Sequence, residues 1–443
     1  MISTLSTPTR IIPAGFLIAI AVGTGLLMLP FASESPGGAD FVTALFTATS
    51  AVSVTGLTVV DTSSFWSNFG RAVIITLIQV GGFGIMAGAT LLGLLVNRRL
   101  GLSTRLIAQA ETRTLAVGEI ASVLKLTLIV TLTVEAAIML VLTLRFHYTY
   151  GEAWPDALWN GLFKAVSSFN NAGFSTYSGS LVPFALDWLV LIPIAFGVII
   201  GGIGFPVLAD IRRNPLTPAR WAVHTKITLL GTAILFATGA VATLAFEWNN
   251  AATLGAFPPM ERMMNAAFHS VMTRSGGFNA VDTGAMQIET LTVSFALMLV
   301  GGGSAGTAGG IKVSTFFILG LVVWAEVRGE PDTVAFRRRI SPEVQRQALT
   351  VALLAVALVG LGTLSLLAVS HLPLEKVLFE VISAFATVGL STGITASLPP
   401  SGHIILVVLM FIGRVGSITI ATSLALRSMR RPYRYPQERP IVG

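Results

Sequence analysis

No cysteine occurs anywhere in the sequence, so disulfide frameworks, thiolate metal sites and cysteine nucleophiles are excluded together, and the redox compartment stays undetermined. Histidine is nearly as scarce: five residues, scattered and never in an HExxH-type spacing, which argues against a metal centre. Charge is the third deficit. Only 11% of the 443 residues are charged and 53% are hydrophobic, whereas a globular chain carries about 25% charged residues to keep its surface wet. With a mean hydropathy of +0.79, the solvent this sequence suits is lipid. No cleavable leader is expected either. Met1 to Arg10 holds one basic residue and leads into Ile11 to Phe31, an apolar run longer than a signal-peptide core and read as a retained first span.

The charge that is present is unevenly placed. A net charge of +7 would suit nucleic acid or a lipid surface, and its distribution decides between them. Of the 28 Lys and Arg residues, 20 fall at Arg10 or in four clusters. The clusters are Arg98, Arg99, Arg105, Arg113 and Lys125; Arg212, Arg213, Arg220 and Lys226; Arg328, Arg337, Arg338, Arg339 and Arg346; and Arg427, Arg430, Arg431, Arg434 and Arg439. Each follows a long apolar segment, while the intervening connections carry acids such as Glu34, Asp40, Glu152, Asp156, Glu247 and Asp282. That is the positive-inside pattern of a multi-pass protein in the plasma membrane, and it calls for no nucleic-acid partner. Clusters on one side require an even number of spans between them. The apolar runs supply pairs at 11–31 and 70–97, 121–147 and 185–211, 222–246 and 290–325, and 345–371 and 400–427. Eight spans with both termini cytoplasmic are predicted.

Between the members of each pair lies a weakly apolar stretch too short to cross a bilayer. These read FTATSAVSVTGL from Phe46, FKAVSSFNNAGF from Phe163, FHSVMTRSGGF from Phe268 and FEVISAFATVGL from Phe379. A phenylalanine opens each, and Gly56, Gly173, Gly277 or Gly389 closes it before Leu or Phe; the third copy is one residue shorter. Ser50, Ser167 and Ser383 stand six residues before the glycine in the other three. A second landmark, a glycine cluster at Gly81, Gly201, Gly301 and Gly413, follows after 25, 28, 24 and 24 residues. The repetition divides the chain into repeats 1–100, 101–215, 216–340 and 341–427, with a basic tail at 428–443. The expected fold is all-α and membrane-integral: four tandem helix, pore loop, helix repeats with pseudo-fourfold symmetry around one pore, giving eight transmembrane helices and four re-entrant pore helices.

Irregular backbone is tolerated in a bilayer only where protein buries it or water lies beside it. Four half-spanning helices that break at glycine meet that condition by converging on one axis. There, backbone carbonyls replace the hydration shell of a cation, with no carboxylate needed. For any single glycine, helix packing is an equally good reading; four equivalent breaks favour a filter. The strongest rival is a secondary transporter of another cation or small solute, since broken helices also build midplane substrate sites. Gly301–Gly306 fits G-x-G-x-x-G without its βαβ context, and Gly302–Gly306 fits G-x-S-x-G. A nucleophilic Ser304 would need a histidine base at hand; the sequence places His147, His269, His371 and His403 near the outer ends or pore loops. No enzyme is expected.

The loops VTGL at 54–57, NNAGF at 170–174, TRSGGF at 273–278 and TVGLS at 387–391, with GGGSAGTAGG at 301–310, resemble the Ktr/Trk/HKT superfamily of potassium transporters over nearly the whole chain. With no helical pair ahead of the first pore unit, the chain looks more like the KtrB branch than the longer TrkH branch. The resemblance implies a homodimer with one pore per subunit, seated on a cytosolic KtrA-like RCK ring that binds nucleotides. It implies K+ as the transported ion and leaves Na+ as a candidate coupling ion, with no organic cofactor on this chain. The candidate filter is Val54, Thr55 and Gly56; Asn171, Ala172 and Gly173; Ser275, Gly276 and Gly277; and Thr387, Val388 and Gly389. In the plant members a serine at the first filter position goes with sodium preference, so Gly56 implies potassium selectivity.

Two further features are read as a gate. Arg414 lies inside the apolar run Ile404 to Leu426, where a charge costs about 3 kcal/mol unless it faces water or a partner. It is expected below the filter as a barrier to cations, with pairing to Glu135 or Glu380 as the alternative. The segment Gly301, Gly302, Gly303, Ser304, Ala305, Gly306, Thr307, Ala308, Gly309 and Gly310 holds six glycines in ten residues. At a cost of up to about 1 kcal/mol per glycine in a helix, it should unwind; the resemblance identifies it as the intramembrane gating loop, and a tight packing surface is the alternative. Lys312 at its edge either snorkels or holds the closed loop. A scaffold pair between Arg274 and Glu380 is left open.

Overall fold

The structure, a computed structural model, describes residues 8–35, 37–98 and 117–426. Arg99, Arg105, Arg113, the fourth basic cluster and the tail 428–443 lie outside the described residues. The first repeat is α1 (Pro8–Leu27), α2 (Phe41–Val52) and α3 (Asn68–Arg98); the second is α4 (Val117–Tyr150), α5 (Trp154–Phe169), α6 (Trp188–Ile203) and α7 (Phe205–Arg213). The third is α8 (Val223–Glu247), α9 (Pro259–Met272), α10 (Ile288–Leu299) and α11 (Val313–Arg328); the fourth is α12 (Pro342–Ser370), α13 (Leu374–Phe385) and α14 (Pro400–Leu426). A two-residue hairpin, β1 (Val334–Ala335) with β2 (Arg338–Arg339), is an exception to the all-α expectation. It turns through Phe336 and Arg337, both at positive φ.

Among the described residues, Lys125–Tyr150, Val223–Glu247 and Pro342–Ser370 are long and apolar enough to cross a membrane unbroken. A fourth span is broken: α6 and α7 meet at 91°. The break was not foreseen. Gly204, at φ 98, precedes Phe205 and Pro206, and proline favours the first turn of a new helix over the interior of an old one. The run expected at 290–325 is likewise two helices, α10 and α11, because the ten-residue glycine segment unwinds as predicted. The packing is inverted relative to a soluble protein. Ile18, Leu140, Val241 and Leu364 are among the large apolar side chains turned outward, while many Ser and Thr residues are buried.

The short helices α2, α5, α9 and α13 share one construction. Each starts beside an acid, either the Asp40 cap or Asp156, Glu261 and Glu375 in the first turn, complementing the positive helix end. Each buries the phenylalanine that marks the repeat, and each is followed by a buried Leu57, Phe174, Phe278 or Leu390. The three apolar cores all draw on neighbouring repeats; one packs Phe163, Phe174 and Val415 with the side chains of α1–α3. The result fixes the four short helices against one another with their carboxyl ends converging.

Candidate ion-conduction site

Beyond each short helix the chain adopts the same backbone pattern four times. Val54, Asn171, Ser275 and Thr387 have φ of 54°, 61°, 74° and 48°, and two residues later Gly56, Gly173, Gly277 and Gly389 have φ of 94°, 72°, 73° and 95°. Positive φ is uncommon outside glycine and strained for Val and Thr, so a fourfold recurrence marks a constraint on function. Serines support it. Ser50 and Ser383 accept from the Gly56 and Gly389 amides at 3.1 Å, while Ser167 donates to the Phe174 carbonyl at 2.9 Å. The third copy, one residue shorter, instead closes with Gly276 N–H donating to the Met272 carbonyl at 2.9 Å.

The glycines form a closed ring in chain order. A Cβ on Gly56 would strike the Ala172 carbonyl, one on Gly173 would stand 2.7 Å from Gly277 Cα, one on Gly277 would stand 3.4 Å from Gly389 Cα, and one on Gly389 would strike the Thr55 carbonyl. No side chain fits at any of the four. The second glycine landmark has a separate cause. A Cβ on Gly81, Gly201 or Gly413 would meet the Val52, Phe169 or Phe385 carbonyl at the carboxyl end of the short helix of the same repeat; here the packing reading of the glycines is the right one. The negative ends of four helix dipoles, and of the carbonyls around them, thus face one locus, which favours a cation.

On one side of the ring lies a cavity of about 380 Å³ floored by the four glycines, with Asp61, Ser391 and Thr395 among its walls. Burial pushes the Asp61 carboxyl up, but donation from Ser178 and Ser63 outweighs it and holds the group below its ordinary value. Buried polar residues brace this mouth from behind. Lys164 donates to Ser175, and Glu380 accepts from Ser391 at 3.0 Å and from Thr395; Ser175 and Ser391 both stand two residues after their ring glycine. Glu135 accepts from Asn170 at 3.1 Å and from Gln79 at 3.4 Å. Glu135 and Glu380 therefore serve the loops behind the ring.

On the other side the segment Gly301–Gly310 is pinched into a loop at its neck, where Gly301 N–H donates to the Ile311 carbonyl and Ile311 N–H to the Leu299 carbonyl, at 2.9 and 3.0 Å. The loop reaches the candidate filter directly. Thr307 Oγ1 donates to Asn171 Oδ1 at 2.8 Å, and Gly309 N–H donates to Ser275 Oγ at 3.0 Å, which donates in turn to the Thr387 carbonyl at 2.6 Å. It is held from three directions. Gly303 and Thr307 amides donate to the Gly202 and Gly201 carbonyls at 2.8 and 3.0 Å beside the unforeseen break in the second repeat. Arg414, only 2% exposed, donates to the Thr307 carbonyl. Lys312 donates to the Ala308 carbonyl at 2.6 Å. Arg274 grips the neck through the Gly301 carbonyl at 2.5 Å and lies over the Phe236 ring; the pair with Glu380 is not formed. Ser304 Oγ faces Ser314 Oγ at 3.4 Å, and Ser314 lines a cavity together with His224; His269 meets Ser294 and His403 the Thr395 carbonyl.

Residues 4–430 match the TrkH family, described as cation transport protein. The chain is 37% identical over 437 residues to the Ktr system potassium uptake protein B of Bacillus subtilis, covering 99% of this chain and 97% of that protein. It is 34% identical to the potassium/sodium uptake protein NtpJ of Enterococcus hirae, again covering 99% and 97%. The fold matches the crystal structure of the potassium transporter TrkH from Vibrio parahaemolyticus at a TM-score of 0.66 and 18% identity, over 94% of this chain and 85% of the other. These relatives are ion transporters, in keeping with a site built chiefly of backbone. The chain belongs to the TrkH family of cation transport proteins, within the Ktr/Trk superfamily, and is KtrB-like.

Proposed function

We propose that this chain is the pore-forming subunit of a potassium uptake system in the plasma membrane. The ring of Gly56, Gly173, Gly277 and Gly389 carries the reading, because four carbonyl-lined turns meet where only a dehydrated cation has use for them. The three residues ending at each glycine are the filter. Potassium is the ion because the similar proteins of Bacillus subtilis and Enterococcus hirae are potassium and potassium/sodium uptake proteins, and because Gly56 leaves no hydroxyl side chain at the first position. The loop Gly301–Gly310 is the gate, with Arg414 as its electrostatic barrier and Lys312 as its latch. Both termini lie in the cytoplasm, a reading supported by the basic clusters. There the chain rests, as a homodimer, on a KtrA-like RCK ring whose nucleotide state sets the gate. Sodium is a candidate coupling ion, supported by the potassium/sodium relative.

Rescue of a potassium-uptake-deficient bacterium tests this. The intact chain, expressed with its ring partner, should restore growth at limiting potassium, and Gly56→Ser should lose potassium selectivity or activity. A well-expressed intact chain that restores nothing would overturn the assignment.

A further inference from the structure

The pore and the gate meet at one side chain. Ser275 is fully buried, sits at φ 74° in the third filter loop, and is the middle of a chain of two hydrogen bonds. Gly309 N–H donates to its Oγ at 3.0 Å, and that Oγ donates to the Thr387 carbonyl of the fourth filter loop at 2.6 Å. A hydroxyl has one proton to give and turns to suit its acceptors. While Gly309 occupies a lone pair, the proton is committed to Thr387. The corresponding side chain of the second repeat, Asn171, is held by Thr307 of the same loop. Thus the loop hydrogen-bonds the innermost filter residues at two positions and packs closely against Thr387 through Gly309, and its hydrogen-bonded link to the Thr387 carbonyl runs through Ser275.

We propose that Ser275 is a two-way relay that couples the seated loop to cation occupancy of the inner end of the filter. This rests on the reading of the chain as a gated pore. With the loop seated, the Ser275 proton competes with a cation for the Thr387 carbonyl. When the loop withdraws and takes the Gly309 amide with it, the hydroxyl is free to turn away, and the carbonyl regains both lone pairs for the ion. Coupling between two sites is reciprocal. A cation at this carbonyl therefore unseats the loop, and an unseated loop strengthens binding of the cation. A pore with this relay opens more readily when its inner site is filled.

The test is hydrogen exchange of the segment 301–310 in the full chain reconstituted in liposomes, in potassium and in choline, alongside rubidium-tracer flux through the same preparation. Potassium should speed exchange of the loop amides by about fivefold, the lower end of a measurable coupling. Ser275→Ala should abolish that response. Ser275→Thr should keep it, because Thr387 already shows that threonine tolerates this backbone at the matching position of the fourth repeat. Thr307→Val, which removes the hydroxyl's contacts with Asn171 and the Phe169 carbonyl and leaves Ser275 untouched, should speed exchange in choline yet retain the potassium response. The relay is overturned if the intact chain shows no potassium response, if Ser275→Ala responds like the intact chain, or if Thr307→Val loses the response as well. The first criterion stands even where Ser275→Ala fails to fold. No tracer flux through the intact chain would instead strike the pore reading on which the relay depends.

Discussion

At the scale of single residues, two charges of opposite sign frame the proposed pore. Arg414 is buried against the loop at the Thr307 carbonyl, where removing a unit charge near a dehydrated cation is worth about 1–4 kcal/mol between aqueous and partly shielded limits. Arg414→Ala should therefore raise potassium flux at least about fivefold, read as tracer uptake into liposomes; an unchanged rate in a well-folded variant would remove the barrier role. Asp61 acts on the mouth side. Its depressed value keeps the carboxylate charged in mild acid, so its contribution is present above its ordinary value of 3.8 and fades only as pH falls through the lower folded value. Asp61→Asn should raise the half-saturating potassium concentration about two- to fivefold at low ionic strength, and less at about 0.15 M salt where exposed charges are screened. The intact chain should show no change from Asp61 titration between neutral and mildly acidic pH; a variant whose potassium dependence matches the intact chain at low salt would show that the mouth does not concentrate cations through this group.

Among the elements, legibility followed whether a feature recurred. The four short helices and their terminal glycines were plain in the sequence because phenylalanine, serine and glycine return at fixed spacing, and the structure turns that spacing into buried anchors and amide supports. The unwinding of Gly301–Gly310 was plain because six glycines in ten residues oppose a helix. What stayed hidden was relational. The sequence places Ser275 in a candidate filter loop, but its bond to the Thr387 carbonyl shows only once the third repeat is set against the fourth, and Arg274 offers no hint that it binds the neck of the loop Gly301–Gly310. The break at Gly204 had a local signal, a glycine before Phe205 and Pro206, yet its use depends on the distant segment seated there. A Cβ at Gly204 would strike the Ser304 carbonyl and would force φ 98° on an alanine, a strain of about 1–3 kcal/mol. Gly204→Ala should accordingly unseat the loop and raise basal flux about fivefold or more without the ring partner. A folded variant with lower or equal flux would show that the break merely bends the helix.

For the molecule as a whole, orientation is the claim on which uptake depends, and the absence of cysteine makes it directly measurable. The predicted even number of spans between basic clusters sets the connections after α7 and α11 on one face and those after α2, α5, α9 and α13 on the other. Leu216 is 91% exposed just beyond Arg212 and Arg213. Ser64 is exposed beside the mouth, three residues after Asp61. Single cysteines at these positions, Leu216→Cys and Ser64→Cys, disturb no buried contact and are the sole thiols in their chains. In intact cells a membrane-impermeant maleimide should label Ser64→Cys and leave Leu216→Cys unmodified until the membrane is opened. The reverse pattern would turn the pore over, placing the glycine mouth and Asp61 in the cytoplasm and the loop with Arg414 toward the outside. Uptake would then have to pass the gate before the filter, and a cytosolic ring could not reach the loop it is proposed to control. Labelling of both positions in intact cells would point to leakiness, so a cytosolic marker protein retained by the cells belongs in the same assay. With that control in place, one pair of thiols decides which way the four repeats face.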